Sequence, residues 1–544
     1  MSQAPMMAPA PQAPPSPASA EAPGRGTWLA IIAAWLAYTI LLGILYARMP
    51  AGPDEQIFDY IAWVADRGGH LYVDATEQNF PGMMWIHELS TAVFGVHYWS
   101  HHAFDYLQLL AGCFILAAAL APEVGRRRAL LVIPIYQAMY VTLGWWSAGQ
   151  RDVVVAPLLL GAGLAYRARA RGGPRAWLAL FAVALIGAAA VRPTYAAYAA
   201  LIVLADVLTA RGRDRALARV LSDTGVAAGF CVALVGALVL GASASGTLGP
   251  FLESSLRFNT QVYSHSISVG AASRSFAGLL HSWHWYVAFG VAGAWLWFRE
   301  GRDRFLWAVV ALVAVTGVLS AYVQLKGFGY HLCAVVTTAA VFDTYLVLWS
   351  LRRIRARSDL GRIAVAASIA LVVVAGLASK VRSTYRIELE GLVGRRSERE
   401  VLETVGAGTD GTTFTDLLDA VAYVRGVVPE NERVLVWTRA VHINFLAERR
   451  SPTRFITAGM LISARPPFQG ADAWTREFAD AFAQAPPVVI IIPSRDIADG
   501  VELWNDARPS GAVQILRREL TTRYTHVHDF GKLEAYRLNV PAGS

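Results

Sequence analysis

The chain is 544 residues long, 55% apolar and only 16% charged, with 17 Trp, 20 Tyr and 22 Phe, a composition too apolar for a soluble enzyme and one that points to an integral membrane protein. Its 48 Lys and Arg exceed its 40 Asp and Glu, but the cations sit in short clusters between apolar runs, which excludes a continuous nucleic-acid-binding stripe and fits loops that set membrane topology. The three cysteines, Cys113, Cys231 and Cys333, fall in apolar segments, so their spacing yields neither a disulfide framework nor a zinc ribbon.

Residues 1–26 are Pro, Ala, Ser and Gln with almost no large apolar side chain, and read as a disordered cytoplasmic tail. Trp28 to Ala47 is the first run of about 20 apolar residues, enough to cross about 30 Å of hydrocarbon. Its length and the lack of a small-residue cleavage site make it an anchor rather than a removable signal. Further spans are predicted near 103–122, 129–145, 152–166, 176–191, 194–209, 222–241, 277–297, 305–322, 332–350 and 363–379, eleven in all. Arginine clusters at 126–128, 167–175, 211–219, 299–304 and 352–357 then share one side, which the positive-inside rule assigns to the cytoplasm. The other side receives the loop 48–102, short loops at Gln150, Arg192 and Lys326, the loop 242–276 and everything after the last span, with all twelve histidines on or near it.

The predicted organisation is therefore a tail at 1–26, an α-helical polytopic membrane part at 27–380, a linker at 381–411 and an outer α/β domain at 412–544. In that domain Phe414 to Val427 reads as an amphipathic helix, Arg433 to Trp437 as a strand and Pro487 to Ile492 as a fully buried strand. Trp504 suggests another helix, and Tyr536 to Asn539 a closing strand.

Chemistry concentrates in the first outer loop. Gly52-Pro53-Asp54-Glu55 opens a segment whose Ile57, Phe58, Ile61, Val64 and Ala65 follow helical spacing, an amphipathic helix expected to lie along the membrane surface. Pro53 suits the first helical position and puts Asp54 and Glu55 in the first turn, where carboxylates also serve stability alone. Their position directly after a span faces the plane in which a lipid-linked substrate would present its headgroup. The loop continues through Gly69-His70-Leu71-Tyr72-Val73-Asp74 and Asn79-Phe80-Pro81-Gly82 into a second helical run, Met83 to Phe94, ending at Gly95.

An acidic pair after the first span, a helix, a Gly-x-x-Tyr-x-Asp turn, then Asn-x-Pro-Gly and a helix closing with Phe-Gly resembles the GT-C glycosyltransferases. The likeness is to the branch that holds protein O-mannosyltransferases, the lipid A aminoarabinose transferase and bacterial relatives of family 39. Gln324-Leu325-Lys326-Gly327-Phe328-Gly329-Tyr330-His331 looks like the Gln-x-Lys-Gly-Trp-x-Tyr-His run of bacterial members, with Phe328 in place of Trp. Val191-Arg192-Pro193-Thr194 looks like their Lys/Arg-Pro-Thr turn, and the outer domain resembles their small α/β domain in the runs Val434 to Trp437 and Ala447 to Pro452.

The resemblance implies an inverting transferase that takes a sugar from a polyprenyl phosphate. The departing lipid phosphate gathers negative charge, so cations placed beforehand at the membrane surface would stabilise it; Lys326, Arg192, Arg151 and His331, with Tyr330, are the candidates. For Arg151 and Arg192 snorkelling is the competing reading, whereas Lys326 is one of only three lysines, with Lys380 and Lys532. By family position Asp54 is the base that takes the acceptor proton, and Glu55 orients Asp54 or the acceptor. Asp74, Glu77 and His87, with Arg257 and Asn259 of the amphipathic loop Phe251 to Ser264, are further candidates for the sugar or acceptor pocket. That loop reads equally as a surface helix lying on lipid.

A metal site could be drawn from His97, His101, His102, His87 and Glu88 but is not favoured, and no cofactor is expected. The sequence has no Gly-rich phosphate loop and no Asp-x-Asp of the kind that nucleotide-sugar enzymes use. The expected partners are a polyprenyl-phosphate sugar, an envelope acceptor (lipid, glycan or protein) and membrane lipid, with no nucleic acid. Two other classes compete: a transporter or flippase of lipid-linked sugars, which would need charges within the spans rather than at their outer ends, and a non-catalytic subunit of a polysaccharide assembly system.

Overall fold

The computed structural model describes residues 25–145, 147, 149–210, 213–263, 269–324, 329–356, 360–406, 412–438, 440–495 and 503–539. Most of the expected tail, Lys326 with its neighbours 325–328, and part of the expected linker lie outside the described residues. The chain divides into two compact units, Met1–Leu41 and Leu42–Ser544. The described part of the first is the helical run from Arg25, with Leu29, Ile32 and Leu36 exposed.

That run belongs to α1 (Arg25–Ala47). The second unit continues through α2 (Pro53–Asp66), α3 (Gly82–Phe94), α4 (Ser100–Val124), α5 (Arg126–Ala129), α6 (Val132–Val141), α7 (Arg151–Ala170) and α8 (Ala176–Val191). A 3-10 turn, Pro193–Ala196, leads into α9 (Ala197–Thr209), and α10 (Arg213–Ala244) follows. Then come α11 (Leu248–Phe251), a π turn at Leu252–Arg257, α12 (Phe258–Gln261), α13 (Val269–Glu300), α14 (Arg304–Gln324), α15 (Cys333–Ala356) and α16 (Leu360–Thr384).

Among the described residues five helices are long and apolar enough to cross a membrane, α4, α7, α14 and the apolar stretches Leu217–Ala244 and Cys333–Arg353, with shorter apolar helices at Ile32–Ala47, Ala176–Val191 and Pro193–Thr209. The run at 129–145 differs from its expected form. Its helix α6 has ten residues, about 15 Å, and every one except Pro134 is buried.

Not every charge collects at a helix end. Asp343 sits in the middle of α15, fully buried, with neither carboxylate oxygen partnered among the described residues.

The remaining elements are α17 (Arg386–Leu392), α18 (Glu398–Val405), α19 (Phe414–Val427), β1 (Val434–Val436), α20 (His442–Ala447), α21 (Ala458–Ser463), α22 (Ala471–Gln484), β2 (Val489–Pro493), α23 (Gly511–Thr522), β3 (Tyr524–Phe530) and β4 (Leu533–Leu538). Helix α19 starts on a reciprocal cap: Thr413 Oγ1 accepts the Asp416 N–H at 3.2 Å, and Asp416 accepts the Thr413 N–H at 2.8 Å. The sheet order is β1-β2-β4-β3, with β1 and β2 parallel and the other pairs antiparallel. Strand β2 is buried at all five positions, which is why it reads as an unbroken apolar run.

Phe258 of α12 enters the core of this α/β region, 5.2 Å from the Trp474 ring and 5.4 Å from Phe468. The loop that also reads as a surface helix on lipid is thus pinned by its own aromatic residue, and Glu253 adds an ion pair to Arg454 at 3.2 Å.

Glu388 of α17 is 2% exposed, its Oε2 has no partner among the described residues, and burial pushes its carboxyl up to about 7. A carboxyl raised on folding contributes stability that is complete below its unfolded pKa of about 4.3 and is lost as pH rises through the folded value. Glu388→Gln is therefore expected to stabilise the protein at pH 8, by on the order of 3 kcal/mol at most, with little effect near pH 4. Thermal unfolding in detergent at the two pH values checks this; an equal shift at both would exclude it.

Candidate active site

The site is organised from the first turn of α2. Gly52 is extended at the N-cap and Pro53 occupies the first helical position, where its missing N–H costs nothing. Glu55 folds back and accepts the Gly52 N–H at 2.7 Å, so this carboxylate starts the helix. It is 1% exposed and lies 3.1 Å from His102 Nε2, while His102 Nδ1 lies 2.9 Å from the Met49 carbonyl. Opposite stands Gly149, at φ +63°, whose carbonyl is 3.2 Å from His101 Nε2. A Cβ there would come within 2.6 Å of both Glu55 Oε1 and His101 Nε2, so only glycine fits.

Asp54, one residue earlier, has the opposite environment. Its side chain is 34% exposed, and Oδ2 accepts from Arg151 Nη2 at 3.1 Å and from the Tyr330 hydroxyl at 3.4 Å. Arg151 Nη2 and Tyr330 Oη are themselves 3.3 Å apart. The other oxygen, Oδ1, has no hydrogen bond among the described residues. Arg151 therefore does not snorkel: its guanidinium is turned inward, 5.8 Å from the Phe58 ring, and closes on Asp54.

A second ion pair backs the first. Asp152, fully buried in the first turn of α7, accepts from Arg192 Nη1 at 2.7 Å and from the Tyr195 hydroxyl at 2.6 Å. Arg192 is likewise buried, held in the fold rather than reaching out to a headgroup. Thr194 Oγ1 and Ser320 Oγ are 2.6 Å apart, and Gln324 Nε2 donates to Ser320 Oγ at 3.0 Å. The Arg-Pro-Thr turn and the start of the Gln324–His331 run, distant in sequence, are thereby joined. His331 is buried beside Tyr330, ring centroids 4.6 Å apart.

Other expected site residues are engaged elsewhere. Asp74 is exposed and accepts the His70 N–H at 2.6 Å in a turn. Glu77 is buried and takes a bond from Asn79 Nδ2 at 3.0 Å. Asn259 donates to the carbonyls of Gln78 at 2.7 Å and Ser255 at 2.8 Å, and Arg257 is exposed on the π turn. His87 lies in the interior, with Nδ1 2.7 Å from Asp59 Oδ1, and Asp59 Oδ2 is 2.8 Å from His442 Nε2 on α20. His101 stacks on His87 at 3.6 Å. His97 stacks on Trp99, and among the described residues no three His, Cys, Asp or Glu form a group that could hold a metal ion.

Sequence reasoning missed Asp59, Asp152, Tyr195, His442 and Gly149. One signal was available for Asp59, which stands four residues after Glu55 on the same helix face. Helix α2 is also buried from Glu55 to Val64, not laid on lipid by one face.

No protein-family profile matches the sequence, and no curated relative matches it. Solved structures do match. ArnT from Cupriavidus metallidurans, bound to undecaprenyl phosphate, superposes with a TM-score of 0.59 at 13% identity, over 96% of this chain and 100% of that one. Its apo state gives 0.56 at 14% identity, over 94% and 98%. The apo oligosaccharyltransferase of Archaeoglobus fulgidus gives 0.51 at 12% identity, over 93% and 74%. The chain therefore has the fold of these structures, the GT-C fold, with five described helices long and apolar enough to cross a membrane.

Two stability predictions follow from the buried groups on α2. Burial opposes the charge on Asp59, but His87 and His442 outweigh it and hold the carboxyl below its usual range. A carboxyl lowered on folding contributes stability that is present above its unfolded pKa of about 3.9 and is lost as pH falls through the folded value. Wild type should lose stability below about pH 4, and Asp59→Asn should be destabilised at pH 7 by about 3–5 kcal/mol with a flatter acid limb. Unfolding midpoints from pH 3 to pH 8 test this, and a wild-type midpoint for the variant at pH 7 would refute it. Gly149→Ala should cost about 1–3 kcal/mol through backbone strain, measured by the same melts; a wild-type midpoint would show that the close approach is relaxed without consequence.

Proposed function

We propose that the chain is an inverting glycosyltransferase that moves a sugar from a polyprenyl phosphate to an envelope acceptor, whether lipid, glycan or protein, on the extracytoplasmic face. The observation that carries this reading is Asp54: a partly exposed carboxylate, one oxygen anchored by Arg151 and Tyr330 and the other without a hydrogen bond among the described residues, in a GT-C fold. An acceptor hydroxyl attacks the anomeric carbon, its proton passes to Asp54, and the bond from that carbon to the phosphate oxygen breaks with its electron pair leaving on the phosphate. Arg151, Tyr330 and His331, joined by Lys326 of the same run, stabilise the departing charge, while Arg192 stays committed to Asp152. A single displacement inverts the sugar and needs no cofactor.

Beside Pro193 an apolar groove of about 570 Å³, lined by residues such as Trp85, Ile186, Leu238 and Phe251, suits a polyprenyl chain. The similar ArnT structure was solved with undecaprenyl phosphate, which supports a donor of that class. In the accompanying topology the N-terminus and the five arginine clusters are cytoplasmic, while the first loop and an α/β domain at 412–544 lie outside, the protein residing in the inner membrane.

The test is to incubate purified protein with a panel of polyprenyl-phosphate sugars plus membrane extract and follow release of polyprenyl phosphate. Asp54→Asn is expected to lower turnover by about 10²–10⁴-fold while keeping its fold, whereas Glu55→Gln should act mainly on stability. Full activity in Asp54→Asn would overturn the assignment of the base. If no donor is consumed while sugar-lipid crosses proteoliposome membranes, the transporter reading replaces this one.

A further inference from the structure

Away from Asp54, at the opposite end of α2, a polar cleft of about 680 Å³ opens between Trp63 and Arg67 of that helix and the segments 430–433 and 447–450. We propose that this cleft is a second binding subsite, for a saccharide bearing an oxyanion, carboxylate or phosphate. Its role as part of the acceptor site rests on the transferase reading, but the binding itself does not.

The first argument is the state of its arginines. Arg425 donates to the Leu446 carbonyl at 2.5 Å, Arg433 to the Ser451 carbonyl at 3.1 Å and Arg450 to the Arg67 carbonyl at 2.9 Å. Among the described residues none of the three has a carboxylate within ion-pair distance. Each guanidinium is thus aimed by a main-chain oxygen while its charge stays unmatched, and a fork with five N–H donors retains most of them for a ligand. Bidentate bonds to carboxylate or phosphate are what such forks make best.

The second argument is the floor. Trp63 is 2% exposed, yet its indole N–H has no partner among the described residues. Arg67 covers the ring at 4.4 Å and pairs with Glu448 at 2.5 Å. Glu448 takes φ +56°, a left-handed conformation that is costly for a residue other than glycine. The surrounding pairs hold it there, and the chain turns sharply, burying Arg449 against the Val428 and Ala447 carbonyls and leaving Arg450 to the cleft. An aromatic floor, an unmatched N–H and convergent guanidinium forks form a site for a polar ring carrying an anion. Glu430 and Glu432 also line the cleft and oppose the charge, tuning affinity downward.

Trp63 lies nine residues after Asp54 on α2, about 13 Å along the axis. The subsite would therefore hold an acidic or phosphorylated part of the acceptor at a fixed remove from the reacting hydroxyl.

Calorimetry on the full-length protein in detergent, with no donor present, tests the proposal independently of turnover. Trigalacturonate and glucose 1-phosphate are the anionic probes, and maltotriose is the neutral control. Binding of an anionic probe but not of maltotriose is expected, weakened about tenfold or more in Arg433→Gln and in Arg450→Gln. Which probe binds separates a carboxylated glycan from a phosphorylated headgroup. Glu432→Gln should tighten binding several-fold, a gain that a misfolded protein would not produce. If neither anion binds, if maltotriose binds as well, or if the arginine variants bind like wild type, the subsite does not exist. A transferase that releases polyprenyl phosphate yet binds none of the probes would overturn this inference alone.

Discussion

Helix α2 carries three carboxylates in its first two turns and is buried over the ten residues from Glu55 to Val64, so it is tolerable only if each charge is matched. Each match recruits a different part of the chain. Asp54 takes Arg151 at the head of α7 and Tyr330 after α14; Glu55 takes its own helix start and His102 of α4; Asp59 takes His87 of α3 and His442 of α20. The compensation of one helix therefore fixes where the other elements stand. Removing a partner of Glu55 or Asp59 would leave an uncompensated charge in the interior, a far larger loss than deletion of an exposed pair.

The same constraint explains why the α/β region is docked rather than tethered. Tyr60 of α2 accepts the Ser451 N–H at 2.7 Å, the Thr76 N–H donates to the Arg454 carbonyl at 2.7 Å, and Arg454 reaches back to the Tyr72 carbonyl at 3.2 Å. With Asp59–His442 and Arg67–Glu448, these bonds run along the second half of α2 and into the loop after it. A shift of the α/β region would be felt at the helix that carries Asp54, which on the transferase reading is a route from a ligand of that region to Asp54 without direct contact.

How much of this was legible in the sequence depends on the range of the interaction. Local patterns were readable: the capped, amphipathic α19 has the predicted bounds, the apolar runs appear as helices, and Gly-Pro-Asp-Glu announces the start of α2. The run at 129–145 was legible as apolar but not in its form, because apolarity marks burial in protein as well as in lipid: its helix α6 has ten residues, nine of them buried. Pairings were not readable. Nothing local in His87 or His442 points to Asp59, which stands 28 and 383 residues away, and the need for glycine at position 149 arises only when Glu55 and His101 arrive beside it. Arg151 and Arg192 carry the same side chain at the end of a helix, and only the fold shows that one faces Asp54 while the other is paired with Asp152.

Asp54 and Glu55 show how environment divides labour between identical functional groups. Glu55 is enclosed, its Oε2 committed to a main-chain N–H and an imidazole, and it has no path to a substrate proton. Asp54 keeps one oxygen without a partner among the described residues, and the Arg151–Tyr330 clamp on the other limits its rotation. On the transferase reading, a phosphate entering beside Arg151 would compete for the guanidinium that now lies 3.1 Å from Asp54 and loosen its hold, so the carboxylate would be freed to turn toward an acceptor only when there is a sugar to transfer.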